Sequence, residues 1–167
     1  MKKLLLSLSI LLIFSFYNCS EDDGATLVYL RAAIHTNCNN DQNFSGTDIY
    51  GYEVNDDYIG TYWQVGAHPA NAVDEEPDLG MNIFNADLES GDYSITGDSW
   101  SANSVFVYYI DAQGNQYVSY TNLEGVVDIS NDGSTVTIKV TTNVTLYNYE
   151  TQQTICVSNF EARIAIN

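Results

Sequence analysis

The sequence predicts an all-β domain, most simply an antiparallel β-sandwich, with a barrel-like arrangement as the alternative. Apolar and polar residues alternate with a period of two in about ten short segments. Turn-favouring Asp, Asn and Gly residues separate these segments, as in "DAQGNQ" and "SNDGS". No segment keeps the 3.6-residue period of a helix. Together these observations favour strands joined by short turns.

Residues 1–18 are predicted to be a signal peptide that is removed on export. Lys2 and Lys3 precede an apolar run from Leu4 to Tyr17, which is the order of a secretory signal. The run is shorter than the ~20 residues that a membrane-spanning helix needs. Because Cys19 follows at once, the segment resembles a bacterial lipoprotein signal, in which that cysteine is lipidated and begins the mature chain. A plain signal peptide cut nearby is the alternative.

Residues 19–24, "CSEDDG", are predicted to be an acidic tether after the lipidated Cys19. The tract resembles those of Bacteroidota lipoproteins, in which acidic residues after the cysteine direct export to the outer face of the outer membrane. The resemblance implies an outer-membrane protein that faces outward. A solvated tether explains the same acids, since they cannot bury apolar area. Acyl chains would hold the domain on the membrane, because each buried methylene contributes ~0.8 kcal/mol.

Residues 25–167 are predicted to form one β-sandwich domain. The clearest strand pattern is "STVTIKVTTNVTLYNY", where Val136, Ile138 and Val140 alternate with polar residues. Similar patterns cover residues 25–34, 47–54, 60–66, 79–86, 91–96, 104–110, 116–121, 124–130 and 154–166.

Three stretches of the later sequence carry a resemblance to a family. They are "LESGDYSITG", the tyrosine-rich "VFVYYIDAQGNQYVSYTNLEGVVDIS" and the terminal "VSNFEARI". Together they resemble a family of small β-rich lipoproteins of Bacteroidota to which no activity is assigned. The resemblance covers roughly residues 85–165. It implies a fold and a compartment, and it brings no catalytic residues.

Two cysteines remain after Cys19. Cys38 follows the first apolar run and Cys156 lies near the start of the last, so the two would face each other if these strands are antiparallel neighbours. In an exported chain a disulfide between them is expected, with two buried thiols as the alternative. Closing a loop of more than 100 residues would stabilise the fold by ~4 to 5 kcal/mol in the chain-entropy model.

The charge excludes one class of partner. The chain has five basic and 22 acidic residues, which gives a net charge of −17. Removing Lys2 and Lys3 with the signal leaves −19, with Arg31, Lys139 and Arg163 as the basic residues. Such a surface repels phosphate backbones, so nucleic acid is excluded. Cations, neutral sugars and basic protein surfaces remain.

No catalytic constellation is predicted, and the chain is not expected to be an enzyme. His35 and His68 are the only imidazoles, and neither lies in a nucleophile or zinc motif. No cofactor is expected, although calcium is a candidate because it prefers oxygen ligands. Its weak candidate site, Asp74, Glu75 and Asp78, lies in the longest loop, residues 68–78. A solvated acidic loop is the alternative.

The aromatic residues give the functional hypothesis. The chain contains thirteen Tyr, six Phe and two Trp. A candidate aromatic surface that could bind a sugar or a protein consists of Tyr62, Trp63, Trp100 and Tyr109. Alternatively, one ring of each neighbouring pair packs inward and the other covers the sheet. The sequence therefore predicts a non-catalytic binding or accessory lipoprotein for carbohydrate or protein. The alternative function is a structural envelope lipoprotein with no small ligand.

Overall fold

A computed structural model describes residues 26–36, 40–69, 78–85, 87–97, 101–120 and 125–166. This part of the chain holds eleven strands and no helix. The strands are β1 (Thr26–Thr36), β2 (Asn40–Asp56), β3 (Gly60–Pro69), β4 (Asp78–Ile83), β5 (Gly91–Ile95), β6 (Ser104–Ile110), β7 (Gln116–Ser119), β8 (Val126–Asn131), β9 (Thr135–Val140), β10 (Val144–Tyr147) and β11 (Thr154–Ala165).

The strands form one continuous hydrogen-bonded sheet. Its order is β1-β2-β3-β4-β6-β5-β8-β9-β11-β10-β7, and β1 also pairs with β11 and β6 with β7. Among the described strands one pair, β5 with β6, is parallel, and it spans only two residue pairs. The all-β class and the single domain are therefore confirmed. The sheet is mixed and continuous, whereas the sequence predicted antiparallel pairing throughout.

The long alternating segment near the end of the chain forms β9 and β10. Both strands pair antiparallel with β11. Lys139 of β9 lies opposite Glu161, and Val144 of β10 lies opposite Val157. The interruption between them faces Asn159 of β11, whose φ is 52°. The predicted single strand is thus divided where β11 itself departs from regular pairing.

The core is built from alternate residues of almost every strand. In β9 the inward positions are Val136, Ile138 and Val140, as the period of two predicts. The largest fully buried side chains are Phe160, Leu30, Leu79, Met81, Ile83 and Leu88. Each such side chain contributes about 1.5 to 3 kcal/mol by leaving water, so the core supplies the main stabilisation.

The proposed signal peptide, Cys19 and its acidic tether lie outside the described residues. In the part that the structure describes, no helix has the length and apolar character needed to span a bilayer. The anchoring expectation therefore stays a prediction from the sequence.

Candidate functional site

One face of the sheet carries a row of aromatic side chains on the side opposite the core. It is formed by β2, β3, β4, β6, β7 and β10, and we name it the tyrosine face. Strand pairing aligns one residue from each of these strands across the sheet. The row consists of Tyr50, Gly66, Gly80, Tyr108, Val118 and Tyr147.

Two glycines in the middle of this row make room for two tyrosine rings. A Cβ atom on Gly66 would lie 2.2 Å from Tyr50 Oη, and one on Gly80 would lie 2.5 Å from Tyr108 Oη. The rings cover the glycines from opposite sides, and their hydroxyls meet at 2.8 Å. Glycine is thus required here by close approach, which is a known role of glycine inside strands.

The two hydroxyls belong to a directed hydrogen-bond chain. Gln64 Nε2 donates to Tyr108 Oη at 3.1 Å, and Tyr50 Oη donates to Asp78 Oδ1 at 2.8 Å. The Tyr50 hydroxyl has one proton and donates it to Asp78, so Tyr108 is the donor in the hydrogen bond between the two tyrosines. Tyr52 Oη in turn donates to Gln64 Oε1 at 2.8 Å. The chain fixes the orientation of the rings on this face.

Burial sets the protonation of these groups. It raises the pKa of the Tyr50 and Tyr108 hydroxyls, which therefore stay protonated and able to donate. Burial also raises the pKa of the Asp78 carboxyl, while the hydrogen bond from Tyr50 acts in the opposite direction. His68 Nδ1 lies 3.9 Å from Asp78 Oδ1. The face thus combines aromatic rings with hydroxyl, amide and carboxylate groups.

Beyond Val118, the row leads to three mutually contacting rings, which we name the tyrosine cluster: Tyr120, Tyr147 and Tyr149. Their centroids are separated by 5.8, 6.0 and 5.2 Å. Tyr120 is 40% exposed and Tyr149 is 61% exposed. Asn148 holds the turn that carries Tyr149, because its Oδ1 accepts hydrogen bonds from the backbone N–H groups of Glu150 and Thr151 at 2.9 and 2.7 Å.

The rings of the tyrosine cluster are tilted against one another. The interplanar angles are 51°, 57° and 89°. They offer separate ring faces at different angles, and so they do not form one flat platform. Such an arrangement suits a curved ligand that contacts rings one at a time.

The predicted aromatic surface is not brought together by the described residues. Trp63 and Tyr109 pack against the core cluster. Tyr62 directly precedes Trp63, so its side chain lies on the opposite face of β3. Its ring centroid is 5.5 Å from that of Phe84. Trp100 lies outside the described residues. The alternative expectation was that one ring of each neighbouring pair packs inward and the other covers the sheet. It describes Tyr109, which packs against the core, and Tyr108, which lies on the tyrosine face.

The predicted calcium ligands are only partly described. Asp78 begins β4 and bonds to Tyr50, while Asp74 and Glu75 lie outside the described residues. Within the described ranges, no group of three or more His, Cys, Asp or Glu side chains is arranged to hold a metal ion. Calcium binding at this loop therefore stays a prediction.

The cysteine prediction rests on the arrangement of the first and last strands. The pairing of β1 with β11 is antiparallel, as the expectation required, and it places Cys156 opposite His35. The Cys156 side chain is buried. Cys38 lies outside the described residues, so the disulfide itself stays a prediction.

Comparison with known proteins adds no relative from which a site could be transferred. The chain matches no protein-family model, no curated protein and no solved structure. A fold alone does not define a function. The tyrosine face is therefore the feature from which a function is inferred.

Proposed function

We propose that the protein is an outer-membrane lipoprotein, facing outward, that serves as a non-catalytic binding module for a soluble glycan. The observation that carries the proposal is the exposed tyrosine cluster next to a polar hydrogen-bond chain on the same face. Rings held in place by their neighbours lose little conformational entropy when a ligand binds. The tyrosine face is the proposed contact surface.

A glycan fits the chemistry of this face. Sugar rings have apolar C–H faces that pack on aromatic rings, and tyrosine also has a hydroxyl for hydrogen bonding. The Asn82 side chain lies between Gln64 and Phe106 in the sheet, and its Oδ1 is buried without a hydrogen-bond partner. A net charge of −17 favours a neutral sugar over an anionic one. The tilted rings favour a flexible chain over a flat crystalline surface.

The membrane anchor is proposed from the sequence at Cys19. The first described strand begins at Thr26, so a short acidic segment would connect the lipid to the sheet. One lipid chain gives only marginal binding, so more than one acyl chain on Cys19 is needed for stable anchoring. A short tether of this kind would hold the domain close to the bilayer without any protein span.

A disulfide between Cys38 and Cys156 is part of the same proposal. Cys156 is buried in β11 opposite His35, which precedes Cys38 by three residues. The pair would link the first part of the domain to its last strand. Such a link suits a protein exposed outside the cell.

Binding is tested by titrating the purified protein with neutral soluble polysaccharides in a calorimeter. The variants are Tyr120→Ala and Tyr149→Ala, and the matched control is Tyr58→Ala. Tyr58 is 99% exposed in the turn between β2 and β3 and has no place in the cluster. We expect one glycan to bind the wild type and each cluster variant to bind about tenfold more weakly.

Three results would contradict the glycan proposal. One is a Tyr58→Ala variant that loses as much affinity as the cluster variants. Another is a glycan that binds all the variants equally. The third is a panel with no binding at all, combined with tight binding of a basic protein to the wild type, which would make the face a protein interface.

Anchoring is tested separately by following the full chain through cell fractionation. Cys19→Ala is expected to move the protein out of the membrane fraction without changing its melting temperature. Retention of the variant in the membrane would contradict lipid anchoring at this residue. The result does not depend on whether the tyrosine face binds a glycan.

A further inference from the structure

A cleft of about 810 Å³ opens between β1, β9 and β11. It lies where the pairing of β1 with β11 shifts, because Arg31 faces Glu161 whereas Ala33 faces Ser158. Two residues of β11, one of them Asn159, therefore oppose a single residue of β1, which is a β-bulge. On the other side β9 ends at Val140. The interrupted pairing leaves room for a small ligand.

The basic residues that follow the predicted signal peptide all lie beside this cleft or close to it. They are Arg31, Lys139 and Arg163, against 22 acidic residues in the chain. Arg31 and Lys139 both pair across the sheet with Glu161, and Arg163 lies two positions further along β11. Arg31 and Lys139 line the cleft, with side chains 66% and 50% exposed. An otherwise acidic protein thus concentrates its positive charge here.

Glu161 positions the two cations. Its carboxylate accepts a hydrogen bond from Tyr29 Oη at 2.7 Å, forms an ion pair with Arg31, and lies 3.9 Å from Lys139 Nζ. The hydrogen bond from Tyr29, followed by that from Arg31, lowers the pKa of Glu161. Asp128 faces Lys139 from β8 but does not line the cleft. The charged residues that line the cleft are therefore two cations and one carboxylate, with a net positive charge.

The floor of the cleft is apolar. Phe44, Val140 and Phe160 line it, together with the polar side chains of Thr141 and Asn159. Ligand sites of this size commonly combine apolar walls with a few charged or polar groups that orient the ligand. An arginine guanidinium presents paired N–H donors that match a carboxylate.

We propose that the β1–β9–β11 cleft binds a small amphipathic carboxylate. The carboxylate group pairs with Arg31 and Lys139, and the apolar body lies over Phe44 and Phe160. The site shares no residue with the tyrosine face, so it holds whether or not that face binds a glycan. It gives an acidic protein a place for a ligand that the rest of its surface repels.

The probe is octanoate, with octanamide as the uncharged compound of matched length, followed through the backbone amide signals of the purified protein by NMR. We expect octanoate to shift amide signals of β1, β9 and β11 in a saturable manner, whereas octanamide does not. Lys139→Met, which keeps the apolar length of the side chain, should bind three- to tenfold more weakly. Raising the salt concentration should also weaken binding, because the paired groups are partly exposed.

The matched control is Arg163→Gln, which removes a positive charge from the neighbouring strand β11 at a residue that does not line the cleft. This variant is expected to bind octanoate within twofold of the wild type. Equal binding of octanamide, equal losses in the two variants, or no binding at millimolar octanoate would each overturn the proposal. Comparing the two probes on the wild type needs no variant, so a folding defect cannot decide the result.

Discussion

Replacing Gly80 with alanine tests the packing that builds the tyrosine face. The new Cβ atom would lie 2.5 Å from Tyr108 Oη, 2.6 Å from its Cζ and 2.9 Å from the carbonyl oxygen of Val65. Tyr108 is buried, so its ring cannot move freely into water. The contact with Val65 also involves backbone, which yields less easily than the end of a side chain. We therefore expect Gly80→Ala to be strongly destabilising.

The expected loss is about 3 kcal/mol. A displaced Tyr108 ring would give up its hydrogen bonds to Gln64 and Tyr50, each contributing about 1 kcal/mol net. Overpacking in a filled site adds about 1 to 3 kcal/mol. Alanine recovers about 0.5 to 1 kcal/mol, because glycine loses more backbone freedom on folding.

The assay is urea unfolding of four proteins: the wild type, Gly80→Ala, Tyr108→Ala and the double variant. Without the Tyr108 ring, the contact with the Val65 carbonyl oxygen remains, so Gly80→Ala should still cost about 1 kcal/mol, which gives a coupling energy of about 2 kcal/mol. An equal cost of Gly80→Ala in both backgrounds would refute the arrangement of the ring over the glycine. The four urea midpoints can be compared as stabilities only if the slopes of the unfolding free energy against urea concentration are the same in all four proteins.

Three further predictions concern charge and covalent linkage. Burial raises the native pKa of Asp78, so its contribution to stability falls as pH rises from the ordinary aspartate range through the raised value. Asp78→Asn should remove that dependence and leave stability at pH 7 equal or higher, measured by urea titration between pH 4 and 7. The pKa of Glu161 is lowered, so its contribution is complete above the ordinary glutamate range and is lost as pH falls through the lowered value. Glu161→Gln should therefore cost about 1 kcal/mol or less at neutral pH and nothing in strong acid; an equal cost at both pH values would contradict this. Reductant should lower the melting temperature of the wild type but not of Cys156→Ser, and an unchanged wild type would contradict the disulfide.

The alternation of residues predicted much of the fold. In β9, Val136, Ile138 and Val140 are buried because one face of the strand packs on the core. The division between β9 and β10 was not predicted, because it depends on a bulge in β11 that is distant in sequence. Local patterns do not report such pairing.

The sequence predicted that aromatic residues form a binding surface, but it did not indicate which of them lie on the same face of the sheet. Tyr120 and Tyr149 meet because β7 pairs with β10, a non-local register that one sequence does not reveal. One signal was available: Gly66 and Gly80 each interrupt a strand pattern, and isolated glycines in strands often mark close approach of another group. Tyr50 and Tyr108, which cover these glycines, lie on the tyrosine face, whereas Trp63 and Tyr109 pack against the core.

Glycan binding by the tyrosine cluster is tested most directly by the melting temperature of the protein in a panel of soluble neutral polysaccharides. A ligand at one hundred times its dissociation constant stabilises the native state by ~2.7 kcal/mol, which corresponds to about 5 to 10 °C for a domain of this size. We predict such a rise with one glycan in the wild type and a much smaller rise in Tyr149→Ala. A flat panel, or an equal rise in the variant, would contradict the account.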